Sequence, residues 1–72
     1  MKNRALIVSH DAGGAEILAA WRNENGDKYD LLFCVSGPAL RVFERGHRHI
    51  NTVGLEAMGN FQTGDFVLTA TS

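Results

Sequence analysis

Ala5-Leu6-Ile7-Val8-Ser9-His10-Asp11-Ala12-Gly13-Gly14-Ala15 is the stretch that decides the fold of this chain. Ala5 to Val8 is apolar at every position and too short for a helix, so it reads as a strand buried on both faces, the pattern of a parallel sheet. Ser9-His10-Asp11 ends that run, and Ala12-Gly13-Gly14 turns the chain. From Ala15 the apolar spacing becomes helical: Ile17, Leu18 and Trp21 share a face, with Glu16, Arg22 and Glu24 largely outside it. Asn25-Gly26 stops the helix, because glycine readily takes the left-handed conformation that closes a last turn.

Further along, the pattern repeats. Leu31-Leu32-Phe33-Cys34-Val35 is a second continuous apolar run and a second strand. Ser36-Gly37-Pro38 follows, with Ser36 or Gly37 as a cap and Pro38 preset for the first helical turn. Leu40, Val42 and Phe43 supply the apolar side of a second helix that Gly46 stops, while Arg41, Glu44 and Arg45 supply its wet side. Ile50 to Val53 reads as a brief third strand. Gly54 to Gly64 is a connection in which Leu55-Glu56-Ala57-Met58 is long enough for one helical turn. Phe66-Val67-Leu68-Thr69-Ala70 is the fourth strand.

Strands alternating with helices imply a parallel sheet with right-handed crossovers. The expected architecture is an α/β, Rossmann-like half-domain. It has a four-stranded, mainly parallel sheet in the order 3-2-1-4 and two main helices on one face. Residues 1–72 form a single domain, near the small end at which one core suffices. The other sheet face is left to the polar, glycine-rich Gly54–Gly64 stretch. Each large apolar side chain left wet there forfeits about 1.5–3 kcal/mol relative to full burial. The imbalance predicts either the N-terminal part of a longer protein, with a missing C-terminal domain, or a second copy of the chain as the cover.

Composition excludes several classes. Hydrophobic residues make up 44% and charged residues 21%, the balance of a folded globular chain rather than a disordered one. A formal net charge of −1 gives no footprint for nucleic acid or a polybasic membrane contact. No apolar run approaches the roughly 18 residues of a membrane span, and no secretory signal stands at the N-terminus. Cys34 is the single cysteine, so no internal disulfide forms, and a cytoplasmic location is expected.

The chemistry concentrates after the first strand. In parallel α/β sheets ligands bind beyond the carboxyl ends of the strands, near the switch in strand order. Gly13 and Gly14 let backbone N–H groups approach an anionic ligand at the start of a helix. His10 is a candidate general base and Asp11 the carboxylate that orients it, although Asp11 also suits a plain helix cap. Ser36 and Gly37 sit on the neighbouring loop, where a helix cap competes with a ligand-binding role. Thr69, Thr71 and Ser72 end the last strand beside the same crevice, and Thr71 is the ligand candidate among them. The turn lacks the spacing of a dinucleotide fingerprint, and no phosphate-binding P-loop occurs.

Arg41, Arg45, His47, Arg48 and His49 form a basic cluster at the opposite edge, read as a solvated face that complements the helix dipole. Two histidines without a third ligand make no zinc site, so neither metal nor cofactor is expected. Trp21 and Cys34 read as core.

Three segments carry a family resemblance: Ile7-Val8-Ser9-His10-Asp11-Ala12-Gly13-Gly14-Ala15-Glu16, Ser36-Gly37-Pro38-Ala39, and Asp65 to Ser72. Together they resemble the N-terminal part of a glycosyltransferase-B-like or sugar-nucleotide-epimerase-like protein of bacterial polysaccharide biosynthesis. The resemblance implies two Rossmann-like domains facing across a cleft, of which this chain supplies the acceptor side. It implies a nucleotide sugar as ligand, His10 or Asp11 as base, and Gly13 and Gly14 near the donor phosphates. The donor-binding second domain of that family is absent from this sequence, so the resemblance implies part of a glycosyltransferase and no activity is expected of the chain alone. Two alternatives stand beside it: a non-catalytic, self-associating α/β module, or a small domain that binds phosphate or another anion at the glycine turn.

Overall fold

A computed structural model describes residues 2–45 and 49–71. Among these residues three strands form one parallel sheet: β1 (Arg4–Ser9), β2 (Asp30–Val35) and β3 (Phe66–Thr69). Two α-helices, α1 (Ala12–Asn25) and α2 (Pro38–Phe43), follow β1 and β2, and a 3-10 helix, η1 (Leu55–Asn60), precedes β3. The sheet order is β2-β1-β3, so the doubly apolar Ala5–Val8 run occupies the centre. Ala5, Leu6 and Ile7 are each fully enclosed there.

The expected four strands and the order 3-2-1-4 give way to this three-stranded sheet. Ile50–Val53 does not form a strand. It meets β2 only at a parallel bridge between Thr52 and Phe33, where the Val53 N–H donates to the Phe33 carbonyl at 2.8 Å. The physical reason lies in Asn51 and Thr52, which break the continuous apolarity that lets β1 and β2 be covered on both sides. Gly46, His47, Arg48 and Ser72, which enter the expected second-helix stop, basic cluster and strand end, lie outside the described residues.

Register and burial show which side chains share a face. Ala5 pairs with Leu31 and Phe66, and Ile7 with Phe33 and Leu68, so these residues line one side of the sheet. Ile7, Phe33 and Val35 pack there with Ala15 and Leu18 of α1 and with Ala39, Val42 and Phe43 of α2. Both helices therefore lie on one face. Trp21 is half-buried rather than deep in the core, and it stacks on Tyr29 at 5.6 Å between ring centroids. Phe66 meets both rings edge-on.

α1 is rotated from its expected setting. Gly14, Ala15 and Leu18 are its buried residues, while Ile17 is 58% exposed. Ile17 stands about 100° round the axis from Leu18, and the close seat of Gly14 against the end of β3 turns it outward. On the far side of the sheet Leu6 is enclosed, but Val8, Leu32 and Cys34 are only half-buried and Val67 is 39% exposed. Cys34 is therefore not a core residue, because its position in β2 points it away from the helices.

One polar clamp holds the amino end of the sheet. Asp65 Oδ1 accepts from the Arg4 N–H at 2.8 Å and from Asn3 Nδ2 at 3.2 Å, and Oδ2 accepts from the Gln62 N–H at 2.9 Å. The Arg4 backbone N–H first, then that of Gln62, holds the Asp65 carboxyl below the usual aspartate value. A carboxyl lowered by folding contributes stability above its ordinary pKa, and that contribution is lost as pH falls through the lowered value. The clamp ties the start of β1 to the residue before β3, across 61 positions of sequence.

Candidate ligand-binding edge

His10 and Ser36 are the residues that immediately follow β1 and β2. Because Ser9 pairs with Val35, the parallel register brings His10 and Ser36 level with each other just beyond the last rung. Ser9 and Val35 are both buried, so the sheet anchors the two backbones from which these side chains extend. His10 Nδ1 lies 2.9 Å from Ser36 Oγ, and both residues are exposed. A ring nitrogen and a hydroxyl at that distance share a hydrogen bond, and they do so at the carboxyl edge where parallel sheets bind ligands.

Asp11 is placed differently. It is the N-cap of α1, with Oδ2 accepting from the Gly14 N–H at 2.9 Å, while its carbonyl accepts from the Ala15 N–H at 3.1 Å and from Ser9 Oγ at 3.3 Å. The helix-cap reading of Asp11 is thus the one the geometry displays. The hydrogen bond at His10 Nδ1 goes to Ser36 rather than to Asp11.

The expected Ala12-Gly13-Gly14 turn is instead the first turn of α1, whose N-cap is Asp11, and its glycines differ from Gly37. Gly14 is buried, and a Cβ built on it would stand 2.0 Å from the Ala70 carbonyl oxygen. Only glycine lets α1 come so close to the chain leaving β3. Gly13, one position earlier, is half-buried at the start of the helix. Gly37 has φ +57°, a left-handed setting that side chains avoid, and it is the N-cap of α2 without any side-chain cap, with Pro38 behind it. Ser36 is thereby left free of the capping role that the sequence allowed it. Thr69 and Thr71 are exposed, beside Ala70, which backs onto Gly14.

Two concavities lie away from this edge. A groove of about 560 Å³ runs along the outer sides of α1 and α2, with the Glu16–Arg45 ion pair (2.7 Å) on its lining. Both side chains are largely in water, where such pairs contribute little. The Arg45 hydrogen bonds hold the Glu16 carboxyl below its usual value. A second hollow, about 200 Å³, sits at the amino end around Asn3 and Asp65. His49, of the basic cluster, pairs with Asn51 at 2.9 Å. Among the described residues no group of three His, Cys, Asp or Glu side chains is placed to hold a metal, and no helix is long and apolar enough to cross a membrane.

Sequence reasoning brought His10 and Ser36 to one edge without pairing them. It also passed over the Asp65 clamp and the Gly14–Ala70 contact. Thr63-Gly64-Asp65 before an apolar strand was the signal for the clamp, with Gly64 at φ +96° as its turn.

Fold and edge together define a small α/β protein with a parallel sheet and a polar pair at the strand ends. Comparison of the chain with protein-family models, curated proteins and solved structures finds no match.

Proposed function

We propose that this chain forms the acceptor side of a glycosyl-transfer cleft and binds a nucleotide sugar or a related anionic small molecule along the carboxyl edge of its sheet. The observation that carries the reading is the His10–Ser36 hydrogen bond, 2.9 Å long and exposed, beside the glycine turn that opens α1. The Ser36 hydroxyl holds the imidazole at the edge where an acceptor hydroxyl would lie, the place that general-base assistance of its attack requires. His10 is the base of this reading. Asp11 supports it indirectly by fixing the first turn of α1, and Gly13 and Gly37 leave the backbone open to the ligand.

Titration of the isotope-labelled chain with uridine diphosphate-glucose, followed by amide chemical shifts, tests the reading. The expected result is a saturable set of shifts centred on Gly13, Gly14, Ser36 and Gly37. Inorganic phosphate in a parallel titration reports whether the anion alone suffices. Shifts confined to the amino end around Asn3 and Asp65, or none up to about 10 mM (binding weaker than roughly 3 kcal/mol), contradict it.

A further inference from the structure

We propose that Ser36 is a nucleophilic serine with His10 as its general base, and that it accepts an acyl group from an activated carboxylic ester. The inference goes beyond the binding role above. It rests on the pair itself rather than on any bound sugar.

Four observations converge. Ser36 Oγ and His10 Nδ1 are 2.9 Å apart, within the reach needed for proton transfer. The pair is built by the sheet: β1 and β2 hold Ser9 opposite Val35, so the next residue of each strand meets its partner although the two are 26 positions apart in sequence. The chain then bends at Gly37 in a left-handed conformation and enters α2 at Pro38, so Ser36 stands at the apex of a strand–turn–helix corner. Both side chains are exposed, which gives a small ester access to Oγ. With the ring proton on Nε2, the Nδ1 lone pair receives the Ser36 O–H.

The chemistry balances without a redox partner. Ser36 Oγ adds to the ester carbonyl carbon while Nδ1 takes the hydroxyl proton. Collapse of the tetrahedral adduct breaks the bond to the leaving oxygen, which regains that proton from the imidazolium and departs as an alcohol or phenol. The product is an ester on Ser36. Water, deprotonated by the same imidazole, then attacks that ester, releasing the carboxylic acid and restoring the serine.

The chain is incubated with p-nitrophenyl acetate, and the acetylated residues are mapped and timed by peptide mass spectrometry. Ser36 is expected to acetylate far faster than Thr71, an exposed hydroxyl near the same edge with no histidine hydrogen bond. Ser36→Ala is expected to remove the adduct, and His10→Gln to slow its formation by about 10²-fold, a typical general-base contribution. Amide spectra of the two variants report whether they keep the parent fold. Acetylation of Ser36 no faster than that of Thr71 in the parent protein overturns the proposal, whatever the variants do. An unchanged rate in a folded His10→Gln protein overturns it equally. The sugar-nucleotide titration reads a different quantity, so either result stands when the other fails.

Discussion

Replacing Gly14 by alanine is expected to unfold the domain or leave it barely folded, although alanine is the better helix former. In an exposed helix the change would gain up to about 1 kcal/mol. Here the new Cβ would lie 2.0 Å from the Ala70 carbonyl oxygen, 2.7 Å from its carbon and 2.9 Å from Asp11 Oδ1. The first two are backbone atoms and the third belongs to the helix cap. Relief therefore requires moving the end of β3 away from α1, and the Asp11 carboxylate that caps the helix must shift as well. Overpacking costs about 1–3 kcal/mol, with the upper end expected where backbone atoms stand in the way, and loss of the cap adds about 1 kcal/mol. A domain of this length has on the order of 5 kcal/mol of stability. Thermal unfolding and amide dispersion of Gly14→Ala measure the effect. Gly59→Ala is the control, since a Cβ there meets nothing within 4 Å, and its expected change is within about 0.5 kcal/mol. A Gly14→Ala protein melting at or above the parent temperature would show that α1 does not seat on Ala70.

Truncation of Phe43 is the second large effect. Phe43 is fully buried at the end of α2, tilted against Phe33 at 5.3 Å, with the Arg22 guanidinium 5.3 Å from its ring centre. Arg22 also donates to the Phe43 carbonyl at 3.3 Å, so the ring and the backbone join α1 to α2 at one point. Phe43→Ala leaves a cavity where both helices and β2 meet, at an expected cost of about 3–5 kcal/mol. Ile17→Ala and Val67→Ala remove side chains that are 58% and 39% exposed, and their costs are expected to be far smaller. Urea midpoints of the three variants rank them. Equal midpoints would mean that the helix-side cluster is not the core of the domain.

The sequence made the strands β1, β2 and β3 legible because each is a run of apolar residues short of helix length. α1 was legible as a helix that ends at Asn25, but it begins at Ala12 rather than Ala15, so Gly13 and Gly14 lie in its first turn, and Gly26 closes it in a right-handed rather than a left-handed conformation. Ile50–Val53 misled because two apolar ends flank a polar middle. Tertiary position, not local propensity, decides such a segment, and the chain gives it one bridge to Phe33. The inward direction of α1 was misread for a related reason. Leu18 and Ile17 look alike in sequence, and the packing of α1 on α2 and on the end of β3 buries one and exposes the other.

The site was legible as a place and less so as a set of contacts. Residues after parallel strands gather at one edge whatever their identity, which put His10, Ser36 and the glycine turns together. Whether His10 meets Asp11 or Ser36 depends on register and on the competing claim of the α1 N-terminus. The Gly14 N–H takes the Asp11 carboxylate, and the pairing of Ser9 with Val35 delivers Ser36 to the imidazole.

Proton–proton contacts of the His10 ring, measured by NMR in the chain as it stands, test that pairing without ligand or substitution. Cross-peaks from the imidazole protons to the Ser36 β-protons, with Ser9 and Val35 amides in matched parallel register, are the expected outcome. Imidazole contacts restricted to His10's own sequence neighbours would remove the pair and, with it, both the cleft and the reactive serine.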